Sequence, residues 1–358
     1  MGSFAAYKKV GSLEVLRIAA AVLVVCFHIQ TAFGATITHP FLKPLLEGGF
    51  RGVDFFFVLS GFIILRVHRA DLGRPERLAD YLFSRLTRVY PSVWILSLPA
   101  IALYAVSAED ALKAAKLGSP ALLASVLLLP QTAVPLINVT WTLTFELFFY
   151  LSFALMIVNL RLGLFFFLVW QALTLASVLL DASWGLYGYY LRGLCLEFSV
   201  GMGAAWFLSA PLSRSVGPRL WWGLLLAGLA VFFFGVALDP GSTWASVPCA
   251  AGAALIIMAS VRLEETGRLR VPARLAALGG ASYAIYLVHF SAIQLARTLL
   301  SGLDITGGGL LFVPYLVIGI GAGLLFYKVV DRPVQRRLRG VRSVVIGSDR
   351  RRNGAMST

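Results

Sequence analysis

The chain has 358 residues, 59% of them hydrophobic and only 13% charged, with a mean hydropathy of +0.82 and a formal net charge of +14. A soluble domain is about 45–50% apolar, so a water-solvated globular fold is excluded by the apolar surface it would leave exposed. The positive charge raises nucleic acid as a partner, but the basic residues lie between apolar runs, where a membrane protein carries them.

Apolar runs of the length that crosses about 30 Å of hydrocarbon as a helix fall near 13–34, 52–68, 89–106, 141–158, 162–180, 191–209, 219–238, 244–262, 281–301 and 309–330. The pattern predicts an all-α polytopic integral membrane bundle of about ten transmembrane helices. The first run is long, carries Arg17 and is followed by many others, so it reads as a retained span rather than a cleaved signal. The stretch from Pro120 to Pro130 is too short to span and reads as a re-entrant or interfacial piece. Cys26, Cys195 and Cys249 lie inside apolar segments without CxxC or zinc spacing, so they read as core residues and no metal site is expected.

With the N-terminus inside, 25 of the 31 lysines and arginines fall on the cytoplasmic side and five on the outer side, with Arg297 inside a span. Cytoplasmic loops carry that excess, so both termini are expected in the cytoplasm and the protein in the inner or plasma membrane. Residues 1–331 are expected to form the membrane domain. Residues 332–358 read as a basic, disordered cytoplasmic tail attracted to anionic membrane lipid.

Ionisable groups inside spans are costly and face interior sites, so they mark function. On the first span Arg17 and His28 are eleven residues apart, about 20° from alignment on a helix and roughly 16 Å along its axis, and so share one face. Asp54 opens the second span at a depth comparable with His28; an acid there favours the helix dipole, or holds an imidazole in one tautomer. Arg85 and Arg88 share a helix face where the third span begins, placed to anchor topology or to bind phosphate through forked donors. Glu146 and Tyr150 lie one turn apart in the outer half of the fourth span, and Glu197 enters the sixth. Arg192, Arg297 and His28 are the partners available to these two acids. His289, in the block Ser282-Tyr283-Ala284-Ile285-Tyr286-Leu287-Val288-His289, counts as nearer the inner face than His28 and reads as a packing or cofactor-positioning residue.

Five elements in this order, Arg17-x10-His28, the segment Gly52–Phe62, Arg85-x-x-Arg88, the block Trp141–Tyr150 and the block Ser282–His289, resemble the acyltransferase-3 family of membrane O-acyltransferases. The resemblance covers essentially the whole chain and is closest to the short, stand-alone exopolysaccharide O-acetyltransferases, which lack a fused esterase-like domain. It implies transfer of an acyl group, usually acetyl, from acyl-CoA to a hydroxyl of a cell-surface carbohydrate or lipid-linked glycan. Acyl-CoA is then a donor substrate rather than a permanently bound cofactor, and separate polysaccharide-assembly proteins are the expected partners. The resemblance makes His28 the essential histidine, Arg17 its partner and Arg85 and Arg88 residues near the CoA entrance, with Asp54 and Glu146 as supporting acids.

A sugar hydroxyl attacking a thioester needs a base within hydrogen-bond reach, and His28 is the candidate, oriented by Asp54 or Glu146. Two rival readings share these residues: a transporter or flippase using them as proton relays, and an acyltransferase for a lipid, peptide or small metabolite.

Overall fold

The computed structural model describes residues 10–32, 37–107, 110–182, 185–186, 188–238, 243–300 and 308–340. Among them the chain is helical throughout, with turns and no strand. The helices are α1 (Gly11–Ala32), α2 (Leu42–Glu47), α3 (Gly52–His68), α4 (Leu78–Ser107), α5 (Asp110–Leu117), α6 (Ser119–Leu127), α7 (Trp141–Val158) and α8 (Leu160–Leu179). They continue with α9 (Leu194–Ser209), α10 (Pro211–Ser215), α11 (Pro218–Ala237), α12 (Ser246–Glu265), α13 (Ala273–Leu278), α14 (Ser282–Leu300) and α15 (Phe312–Phe326).

Eight of the described helical stretches are long and apolar enough to cross a membrane. Every apolar run read from the sequence coincides with a helix, and the two that fall short are α3, of 17 residues, and α9, of 16. Leu162, Phe165, Leu168, Leu226 and Phe234 turn large apolar side chains outward from α8 and α11, as lipid-facing positions do. This is an all-α, multi-pass membrane protein.

The chain divides into two compact units, residues up to 70 with 170–320, and 71–169 with 321 onward. In the first, α3 packs on α9, α11 on α12, and α1 on α12, α13 and α14. Backbones touch where α3 meets α9. A Cβ on Gly61 would collide with the Phe198 backbone, and one on Gly201 with the Val58 carbonyl oxygen, so only glycine permits this approach. Phe57 and Phe198 stack beside it, ring centroids 4.8 Å apart.

One end of this unit is a polar seam. The Gly11 and Ser12 N–H groups at the start of α1 each donate to the Glu264 carboxylate at 2.7 Å, which satisfies helix-terminal donors with an anion. Arg66, near the end of α3, pairs with Glu265, while Arg262 donates to Ser213 Oγ at 2.5 Å beyond the end of α9. The start of α1 therefore sits with the ends of α3, α9 and α12, as alternating crossings require.

In the second unit α4 runs for 30 residues with Pro91 and Pro99 inside it. Tyr81 donates to the Tyr150 carbonyl of α7 at 3.1 Å. Farther along, Tyr90 and Trp94 donate to the carbonyls of Leu127 and Val126, each at 3.0 Å, which docks the short α6 against α4. That is the apolar piece expected between Pro120 and Pro130, ended by Leu128 in the left-handed region (φ 56°). Lys116 of α5 is buried, donates to the carbonyls of Val134 (3.2 Å) and Pro135 (2.6 Å), and lies over the Tyr104 ring. Burial lowers its pKa from the ordinary 10.5 to about 8.

Two expectations change. The third span does not start at position 89: α4 begins at Leu78, so Arg85 and Arg88 lie two to three turns inside a helix rather than at its mouth. The tail does not begin at Arg332 either. After a π-helical turn, Tyr327–Asp331, the helix continues to Gly340, and residues 341–358 lie outside the described residues.

Candidate active site

In the first unit, α1 and α14 bring together two histidines 261 positions apart. His289 Nε2 lies 3.0 Å from His28 Nδ1, with ring centroids 5.0 Å apart. His28 Nδ1 is also 3.0 Å from the Val24 carbonyl oxygen, and His289 Nδ1 is 3.0 Å from that of Ile285. Phe27 and Phe290 each set an edge against the His28 ring at 5.1 Å. His289 is fully buried, whereas His28 is half-buried. Nearly two turns inside α1, Arg17 lies 3.9 Å from Glu14. A single helix carries Arg17 and His28, as their spacing predicts.

The counted depths placed His289 closer to the inner face, and the contact overturns that. Counting from Ser282 ignores α13 and the 3-10 turn Gly279–Ala281, which enter ahead of α14 and carry it deeper, about 2.0 Å per 3-10 residue.

Asp54 does not orient His28. Its carboxylate takes Arg51 Nη1 at 3.3 Å, and Glu197 of α9 is its acidic neighbour. All three are buried, Arg51 being 6% exposed, Asp54 1% and Glu197 2%. The close α3–α9 packing is what brings these two acids into one neighbourhood. Glu197 thus finds another acid, backed by Arg51, rather than Arg192, Arg297 or His28. Arg192 instead lies over the Tyr189 ring, and Arg297 reaches the Ala32 carbonyl at 3.3 Å.

In the second unit, Glu146 accepts a short hydrogen bond from the Tyr150 hydroxyl, and the Arg85 guanidinium lies 5.9 Å from the Tyr150 ring centroid. Arg85 and Glu146, expected at opposite depths, therefore flank one buried tyrosine, because α4 starts eleven residues before the run that was counted. Arg88 lies 3.7 Å from Asp331, in the π-helical turn after α15. Asp331 is buried and also accepts from Ser92 Oγ at 2.8 Å, and Gln335 donates to the Thr87 carbonyl at 2.7 Å. Asp331 was not singled out from the sequence, where it reads as the last residue before a basic tail. Single π turns inside helices are frequent at functional positions.

The protein is a multi-pass helical one with a histidine pair inside one unit and, in the other, Arg88 beside the buried Asp331 and Arg85 beside the buried Tyr150. The sequence model of the acyltransferase-3 family, described as an acyltransferase domain, matches residues 10–328, and the chain belongs to this family of membrane O-acyltransferases. It is 30% identical to the exopolysaccharide production protein ExoZ of Rhizobium meliloti (strain 1021), across 82% of this chain and 92% of that protein. It is 26% identical to the acyltransferase MdmB of Streptomyces mycarofaciens, across 94% of this chain and 95% of the relative. The putative membrane-bound transacylase BcsY of Komagataeibacter xylinus is 28% identical, across 93% and 87%. No solved structure matches the chain.

Proposed function

We propose that the protein transfers an acyl group, acetyl in the first instance, from acyl-CoA to a hydroxyl of a cell-surface carbohydrate. Acyl transfer follows from the family, and the carbohydrate acceptor is supported by the relative that works in exopolysaccharide production. The observation that carries the chemistry is His28, a half-buried imidazole inside an apolar bundle whose polar contacts fall on Nδ1.

The free nitrogen of His28 takes the proton of the acceptor hydroxyl as its oxygen bonds to the thioester carbonyl carbon. When the carbon–sulfur bond breaks, the same nitrogen returns the proton to the departing CoA thiolate. Arg85 and Arg88 are assigned to the donor's phosphates, since a guanidinium oriented by a carboxylate, as Arg88 is by Asp331, still presents N–H groups to a second anion. Arg17 supplies a further positive charge on the His28 helix.

Mass analysis of surface polysaccharide tests the reading. Cells lacking the protein should lose an acyl-sized mass, 42 Da being the acetyl increment (about 42, from the replacement of H by C₂H₃O), and regain it with the wild-type chain but not with His28→Gln, since loss of a general base costs about 10²–10⁴ in rate. An unchanged polysaccharide in cells lacking the protein would refute the carbohydrate acceptor.

A further inference from the structure

We infer that His289 is the positioning residue of this site: it holds the proton of His28 on Nδ1 and leaves Nε2 as the free basic nitrogen. This rests on the reading of His28 as the base and adds which nitrogen acts and what selects it.

A neutral imidazole has one N–H donor and one acceptor nitrogen, and a carbonyl oxygen only accepts. His289 Nδ1 lies 3.0 Å from the Ile285 carbonyl oxygen, so it carries the hydrogen and His289 Nε2 carries a lone pair. That lone pair faces His28 Nδ1 at 3.0 Å, and Val24 offers the same nitrogen a second acceptor at 3.0 Å. Both neighbours of His28 Nδ1 are acceptors, so its hydrogen belongs there. The reverse assignment would set lone pair against lone pair at both carbonyls. The hydrogens are thus assigned from the network, and two independent backbone carbonyls give the same answer. What remains is His28 Nε2, on a side chain that is half-buried where His289 is fully buried.

When Nε2 takes a proton, the imidazolium already has its Nδ1–H seated on His289. The partner is neutral, so the apolar interior bears no second permanent charge, whereas a carboxylate there would be costly at rest. The acid expected in this place, Asp54, is engaged by Arg51 instead. His289 never reaches the substrate and acts through His28, which fits its complete burial beside the half-buried His28 ring.

The test uses membranes bearing the full chain, labelled acetyl-CoA as donor and, as acceptor, polysaccharide isolated from cells that lack the protein. Transfer is measured per molecule of enzyme for His289→Gln, His289→Leu and His28→Gln. Leu fills a buried apolar site at least as well as Gln, so a packing role predicts that Leu performs no worse than Gln. A positioning role predicts the reverse: Gln offers Oε1 to the His28 N–H and keeps kcat within about tenfold, while Leu lowers kcat on the order of 10²-fold, both with KM values nearly unchanged. Wild-type kcat in His289→Leu, or Gln no better than Leu, overturns the proposal. Should His28→Gln stay active, the base assignment itself falls; an inactive His28→Gln beside a fully active His289→Leu leaves the base standing and removes only its positioning partner. Where either variant lowers the amount of protein, Asn against Met repeats the amide-against-apolar comparison with the same outcomes.

Discussion

Arg51 Nη1 lies 3.3 Å from the Asp54 carboxylate, and both residues are buried at the start of α3. Arg51 is the cation that Asp54 and Glu197 share, so removing it leaves two acids facing each other without a counter-charge. Arg51→Leu should destabilise the protein by about 3–5 kcal/mol, the cost of breaking a buried pair. Thermal unfolding in detergent reads this directly, and an unchanged transition would mean that the acids do not depend on Arg51. Glu197→Gln, which keeps hydrogen bonding and removes one acid, should be milder.

Arg85 and Arg88 separate two roles by a conservative change. Lysine preserves a positive charge that sets topology but not a forked, planar contact with phosphate. The double variant Arg85→Lys, Arg88→Lys should insert normally and require at least about tenfold more acyl-CoA for half-maximal rate, the loss of roughly 1.4 kcal/mol of donor binding. Wild-type dependence on acyl-CoA would remove both residues from the donor site.

Lys116 gives the protein a pH dependence of known sign. It lies on α5, outside the candidate spans, and its pKa of about 8 is below the ordinary 10.5. Between these values the unfolded chain binds more protons than the folded one, so stability from this group rises as pH increases from about 8 to about 10.5 and is flat below. The melting temperature should therefore gain more between pH 7.5 and pH 9.5 (values about either side of the shifted pKa) in wild type than in Lys116→Met. An equal gain in both would show that the ammonium is not buried when the protein is folded.

Gly73 and Gly118 lie on either side of α4 and test its crossing. The charge distribution predicts that a reporter fused at Gly73 is cytoplasmic and one at Gly118 is external. Two fusions reporting the same side would break the alternating order.

The helices were legible in the sequence because a span is a local property, the summed hydropathy of about twenty consecutive residues. The shared helix of Arg17 and His28 was legible for the same reason, being a matter of spacing. Pairings between spans were not. Counting depth from Ser282 makes His289 a packing or cofactor-positioning residue nearer the inner face, and counting from position 89 puts Arg85 at the surface; in both cases the helix starts earlier than its most apolar part. Glu197 was matched against basic residues, while its neighbour is another acid whose cation, Arg51, had been counted as a loop charge. Pattern reading assigns charges to faces and ends, but which side chain meets which depends on helix starts and close approaches such as Gly61 with Gly201.

The brevity of α9 has a consequence for the lipid around it. At 1.5 Å per residue it extends about 24 Å, against roughly 30 Å of hydrocarbon, whereas α3 is continued at both ends by the 3-10 turns Gly48–Arg51 and Arg69–Asp71. Such hydrophobic mismatch is relieved by thinning of the adjoining leaflets or by recession of the helix ends below the interface. Glu197 lies in the first turn of α9, so thinning at that end would bring this acid nearer the polar interface.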